Sequence, residues 1–232
     1  MLHEPFLSDW NYRVIQLLFR LVPHDTVTDT IFGFVVFNPL LSTWIFAACF
    51  YLFWAIEDSR TLWRRTRLFQ IVFAFAVAVT ITLVIRPWIA WPAPSLNPRF
   101  QVLYPDYFWG GGSGNSFPSH STLTYFMIAA GLWPLHRRVS LLLSLLVIGV
   151  ISVPRVYVGG HYPIDILASL VLVVLVLSLV RRWPVPLFVA NWLERSGSGT
   201  YPRELLLILW VFEVGEGFRG SASILKHLRS HL

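Results

Sequence analysis

Charge and cysteine are both scarce in this chain. Only 13% of its 232 residues are Asp, Glu, Lys or Arg, about half the fraction carried by an ordinary soluble domain. A water-soluble globule is therefore excluded as the simplest reading. The single cysteine, Cys49, lies within an apolar run, which excludes a disulfide framework and a thiolate metal site. Internal repeats are absent, and the one low-complexity patch is Gly110–Gly114. That patch lacks the GxxxxGK[ST] pattern and follows no strand, so it does not read as a nucleotide phosphate cradle. The first residues, MLHEPFLSDW, have no basic region followed by an apolar core, and no cleaved signal peptide is expected.

What is abundant is apolar sequence: 56% of residues are hydrophobic and the mean hydropathy is +0.62. The apolar residues fall into runs of about 17–25, the length that spans a hydrocarbon core. Five runs qualify: Thr30–Ile56, Leu68–Trp88, Ser121–Leu135, Val139–Val158 and Pro163–Val180. The third is short and polar at its start, as expected of a helix that begins inside protein. Trp10–Leu21 is amphipathic and reads as an interfacial helix, and Leu205–Val214, too short to span regularly, reads as another, with a re-entrant segment or sixth span as the alternative. The expected fold is all-α, an integral membrane bundle of about five to six transmembrane helices with N-terminal and C-terminal interfacial helices. It forms one domain over 1–232, with an amphipathic segment at 1–29, a motif-bearing core at 79–168 and a tail at 183–232.

A net charge of +6 could suggest nucleic acid, but the basic residues cluster in linkers. Arg60, Arg64, Arg65 and Arg67 separate the first two runs, Arg137 and Arg138 the third and fourth, and Arg181 and Arg182 follow the fifth. Such linkers are cytoplasmic by the positive-inside rule, so no nucleic-acid partner is expected. The loop Ile89–Pro118, the Arg155–Pro163 turn and the N-terminus then lie on the outer side of an inner (plasma) membrane. The 11 tryptophans and 8 tyrosines suit interfacial belts and call for no further function.

Ionisable residues at the ends of membrane spans are functional candidates. Three groups of polar residues fall at the same outer ends: Arg86-Pro87, Ser119-His120-Ser121, and the stretch PRVYVGGHYPID with Arg155, His161 and Asp165. Two arginines and a serine hydroxyl beside a helix start suit a tetrahedral oxyanion such as phosphate. His161 and Asp165, four apart, share one helix face and can hydrogen-bond. A carboxylate holding one ring nitrogen leaves the other as base or nucleophile, and a second histidine can protonate a leaving group. Each group also has a plainer reading: an interfacial arginine, a helix cap, a structural His–Asp pair. The plainer readings leave the convergence at one face unexplained. No set of ligands with metal spacing appears, and no cofactor is expected.

These residues resemble the signature of the type 2 phosphatidic acid phosphatase (PAP2) superfamily of membrane lipid phosphatases, KxxxxxxRP, PSGH and SRxxxxxHxxxD. Arg155, His161 and Asp165 match the third part in spacing, with Pro154 at the serine position. Arg86-Pro87 matches the end of the first, with Val79 at the lysine position. The second reads Pro118-Ser119-His120-Ser121, so without a gap His120 stands at the glycine and Ser121 at the histidine. The resemblance implies that His161 attacks phosphorus and forms a phosphohistidine while Asp165 orients it. Arg86, Ser119 and Arg155, with Ser121 beside them, would bind the phosphate oxygens. His120, displaced by one position or about 100° on a regular helix, is assigned as the general acid.

The departures bear on substrate. A lipid diphosphate expels a phosphate monoester whose second pKa is about 6 and so needs less protonation than the alcohol expelled by a monophosphate. The expected function is therefore hydrolysis of undecaprenyl diphosphate or a related lipid phosphate at the outer face, without a metal. The alternatives are a lipid phosphotransferase, a glycerophospholipid or lipid A phosphatase, and a non-catalytic lipid-phosphate binder. Val79, Pro154 and the altered second motif are the features that favour a binder. The soluble vanadate-dependent haloperoxidases share the signature, but five apolar runs argue against one of those.

Overall fold

The structure, a computed structural model, describes residues 7–22, 24–38, 43–89, 91–104, 115–184, 189 and 191. The patch Gly110–Gly114, the segment Leu205–Val214 and nearly all of the tail from 185 onward lie outside the described residues. Among the described residues every regular element is helical. In chain order they are α1 (Ser8–Leu21), α2 (Thr26–Phe37), α3 (Ile45–Ala55), α4 (Thr61–Ile85), α5 (Pro98–Gln101), α6 (His120–Gly131), α7 (Arg137–Leu146), α8 (Val153–Tyr157) and α9 (Pro163–Val180).

Three of the described helical stretches are long and apolar enough to cross a membrane: Thr61–Ile85, Arg137–Tyr157 and Pro163–Val180. Thr26–Val36 and Ile45–Ala55 are shorter apolar helices. The expected span Thr30–Ile56 is thus not one helix. Asn38 is extended (φ −88°, ψ 110°) because it precedes Pro39, whose ring disfavours the helical region for the residue before it and which has no N–H to continue the ladder.

The bundle is apolar outside as well as in its core. Leu83, Val84, Leu141, Leu142, Leu145, Val171, Val174, Leu175 and Leu179 face outward and are exposed, an apolar coat suited to lipid. Inside, Thr122, Ser152, Asp165 and Ser169 are buried. Helix α6 is the central element, packed against α4, α7 and α9 and buried along most of its length. Where it meets α4, a Cβ added at Gly131 would lie 2.4 Å from Ile71 Cγ1. Small residues let membrane helices approach this closely.

The stretch from α7 to α8 runs through a π-helical turn, Val147–Ser152. Pro154 follows it and cannot donate the helical N–H; the wider turn accommodates that loss and re-phases the helix before Arg155. Pi turns recur at functional sites.

A second polar cluster sits where α1 and α2 pack against α8. The Tyr157 hydroxyl donates to Asp29 Oδ1 at 2.6 Å, and His24 Nδ1 lies 3.0 Å from the same oxygen. Phe19 and Phe32 pack on the Tyr157 ring. Tyr157→Phe removes a donor from a nearly buried carboxylate and should cost about 1–3 kcal/mol. Thermal unfolding in detergent checks this, and an unchanged Tm would refute it.

Candidate active site

The two ends of the bundle are chemically distinct. At one end Arg181 donates to the carbonyls of Ala130 and Gly131, both at 3.1 Å. Arg64 pairs with Asp58 at 3.0 Å, and Arg65 with Glu57 at 3.3 Å. At the other end lie the C-terminus of α4, the N-termini of α6 and α9, and α8. All seven site residues expected from sequence fall at that second end.

Arg155 is nine-tenths buried, and its Nη1 donates to the Ile151 carbonyl at 2.8 Å. Its own carbonyl accepts from Gly160 N–H at 2.9 Å and His161 N–H at 3.3 Å. That double bond to one oxygen folds the chain back and brings His161 beside Arg155. The fold-back needs Gly159, whose φ is +73°, a region favourable only to glycine. A Cβ there would also lie 2.9 Å from Ser95 Cβ and 3.1 Å from Tyr104 Cε1. The loop is held from outside as well, by Ser95 N–H donating to the Gly159 carbonyl (3.1 Å) and Tyr104 O–H to the Val156 carbonyl (3.0 Å). Burial first, and then Tyr162, pushes the Tyr104 phenol well above its ordinary pKa, so it remains a donor. Gly159→Ala should destabilise the protein by about 1–3 kcal/mol and lower activity, since the fold-back carries both Arg155 and His161. Comparing Tm and turnover with Gly160→Ala, whose added Cβ would come no closer than 3.4 Å to the Arg155 carbonyl, checks this; equal behaviour of the two variants would refute it.

Asp165 is fully buried in the first turn of α9. Its Oδ2 accepts from Tyr162 N–H at 2.8 Å, which caps the helix start, and its Oδ1 has no hydrogen-bond partner. His161 Nδ1 lies 3.6 Å from Oδ2, close enough for charge attraction but too long for a hydrogen bond. The ring's hydrogen bond goes instead to the main-chain carbonyl of Ser116, at 2.9 Å. The sequence expectation has Asp165 orient the ring, and the Ser116 carbonyl lies outside it. A carbonyl only accepts, so Nδ1 carries the proton and Nε2 keeps its lone pair. The His161 side chain is 20% exposed, enough for access from this end of the bundle.

Ser119 precedes α6 but does not cap it with its side chain. Its hydroxyl is hydrogen-bonded to Thr122 Oγ1 (3.0 Å), and Thr122 in turn to Ser152 Oγ (2.9 Å). Ser169 Oγ donates to the carbonyls of Ser119 (3.0 Å) and Asp165 (2.8 Å), locking the start of α6 onto the first turns of α9. His120 and Ser121 are the first two residues of α6, His120 half-buried and Ser121 buried. The helix N-terminus there is the positive end of its dipole. Arg86 ends α4 exposed, and its guanidinium donates to the Asn115 carbonyl at 3.2 Å. Val79, at the position of the motif lysine, packs partly buried against the apolar core.

Sequence reasoning does not reach Ser116, because a main-chain carbonyl leaves no side-chain signature. Thr122 and Ser169 did have a signal, standing three after Ser119 and four after Asp165, the spacings that share a helix face. Among the described residues no group of three or more His, Cys, Asp or Glu gathers.

An apolar-coated helical bundle with two histidines, two arginines and buried hydroxyls at one end suits the binding of a phosphate group at a membrane surface. The chain is a member of the PAP2 superfamily, whose profile matches residues 67–188. Undecaprenyl-diphosphatase BcrC of Bacillus subtilis (strain 168) is 25% identical over 180 residues, covering 75% of this chain and 83% of that protein. The crystal structure of Aquifex aeolicus LpxE superposes with a TM-score of 0.57 at 18% identity, over 79% of this chain and 100% of that one; at that identity the likeness concerns the fold.

Proposed function

We propose that this protein hydrolyses undecaprenyl diphosphate or a related polyprenyl diphosphate to the monophosphate, at the outer face of the plasma membrane. The observation that carries the reading is the His161 ring, whose Nδ1 is tied to the Ser116 carbonyl and whose Nε2 is thereby left as a nucleophile. In the reaction, Nε2 attacks the terminal phosphorus and a P–N bond forms. The bond from phosphorus to the bridging oxygen breaks, and the lipid monophosphate leaves with the electron pair. His120 is the acid that protonates it. Water then gives a proton to His120 and attacks the phosphohistidine; the P–N bond breaks, releasing phosphate and restoring both imidazoles. Arg86, Arg155, Ser119, Ser121 and the α6 N-terminus bind the equatorial oxygens, which bear most charge in the transition state. Asp165, 3.6 Å from Nδ1, stabilises the positive charge that the ring acquires.

Two further points support the substrate. The similarity to an undecaprenyl-diphosphatase is one. The other is Val79 in place of the motif lysine, with the histidine shifted to position 120, since a site with weaker protonation suits the better leaving group. The outward orientation rests on the arginines of the opposite end, which the positive-inside rule assigns to the cytoplasm.

The test is phosphate release by detergent-purified protein with EDTA present, comparing undecaprenyl diphosphate with phosphatidic acid. Faster turnover of the diphosphate is expected. Faster turnover of phosphatidic acid would overturn the polyprenyl assignment, and no release from either would overturn the hydrolase reading.

A further inference from the structure

We propose that Asn115 is a positioning residue for the nucleophile, tying the end of α4 to the turn that presents the Ser116 carbonyl to His161; this rests on the phosphohistidine reading above. Asn115 lies outside the three motifs, and its amide uses both of its functions. The Nδ2 group donates to the Arg86 carbonyl at 2.9 Å. The Oδ1 atom accepts from Phe117 N–H at 3.1 Å, closing a turn around Ser116. Ser116 N–H itself donates to the Trp91 carbonyl at 2.7 Å. Residues 115–117 are thus fixed at three points, to α4, to the following loop and to their own turn. The Ser116 carbonyl emerges from this clamp toward His161 Nδ1 at 2.9 Å.

A side-chain orienter is aimed by its own rotamer, whereas a main-chain carbonyl is aimed only by the backbone angles on either side of it. Whatever pins those angles controls the imidazole. Asp165 stands farther off, its Oδ2 3.6 Å from Nδ1 and accepting from Tyr162 N–H at 2.8 Å. A ring released from Ser116 can turn its proton to the other nitrogen, which removes the lone pair from the attacking position.

The clamp also separates binding from chemistry. Arg86 holds the turn through the Asn115 main-chain carbonyl, at 3.2 Å, and that bond does not need the Asn115 side chain. Substituting Asn115 therefore leaves the Arg86 tether and loosens the turn that aims His161. A residue that merely supported folding would not divide the two.

The experiment measures kcat, KM, Tm and the rapid-quench rate of phosphohistidine formation on undecaprenyl diphosphate carrying a labelled terminal phosphate. Wild type, Asn115→Ala, Asn115→Asp and His161→Ala are compared in detergent. Asn115→Ala loses both functions of the amide and should lower kcat and the phosphorylation rate by about 10- to 100-fold, with KM within about threefold. Asn115→Asp keeps the acceptor for Phe117 N–H but sets a carboxylate oxygen against the Arg86 carbonyl, and should lose at least as much kcat as Asn115→Ala. Asn115→Ala within about twofold of wild type, a rise in KM at unchanged kcat, or a loss matched by the fraction unfolded would each overturn the proposal while leaving the phosphatase reading intact. A wild type that turns over lipid without a trappable phosphohistidine overturns the reading itself, and the positioning role with it.

Discussion

His161→Ala should reduce phosphate release from a polyprenyl diphosphate by roughly 10⁴-fold or more, to background. The expectation is this large because the residue is assigned a covalent role, and no neighbour can take it over. Asp165 is fully buried and occupied in capping α9. His120 lies at the start of a different helix. The substitution should cost about 1 kcal/mol, since the ring is partly exposed but its removal leaves the carbonyl of the buried Ser116 without this partner. The measurement is phosphate release together with capture of the labelled protein after acid-free quenching. Loss of both with Tm lowered by only about 2–4 °C is expected. Residual turnover above about one per cent of wild type would mean that another group, or water directly, attacks phosphorus.

Arg155→Ala should lower kcat/KM by about 10²–10³-fold, the loss typical of removing one donor aimed at transition-state charge. Arg155 is nine-tenths buried, and one end of its guanidinium is fixed by the Ile151 carbonyl, so it is pre-organised before substrate arrives. Arg155→Lys keeps the charge but loses the planar fork, and should recover only part of the activity. Both variants remove a buried side chain, so Tm must be followed alongside the kinetics. A kcat/KM within about threefold of wild type in Arg155→Ala would remove this arginine from the phosphate site. Equal activity of the lysine and alanine variants would mean that its charge contributes nothing.

The membrane class and the helical content were legible from local pattern, which also singled out the seven candidate side chains but not Ser116. Runs of apolar residues fix helices and burial in lipid without reference to the rest of the fold. The span-end arginines and histidines stood out because lipid makes such residues costly. The division at Asn38-Pro39 had its signal too, a proline inside an apolar run, but the run's length masked it. The expected interfacial helix near the N-terminus corresponds to α1, buried at Asn11 and Ile15, where Asn11 Oδ1 accepts from Ile164 N–H at 3.1 Å.

Pairings between distant segments were not legible. The sequence placed His161 and Asp165 on one helix face, and proximity along the chain made the carboxylate the obvious orienter. Only the tertiary structure decided that the ring's hydrogen bond goes to Ser116, because the turn after Gly159 sets His161 just before α9 rather than within it and aims the ring across to residues 115–117. The link from Thr122 to Ser152 was equally invisible, since it joins α6 to a π-helical turn whose phase no regular periodicity gives. The sequence by itself determined which residues are costly in a membrane and therefore what chemistry gathers at one end. The structure decided which atom holds which, since hydrogen bonds between distant segments depend on packing and not on spacing.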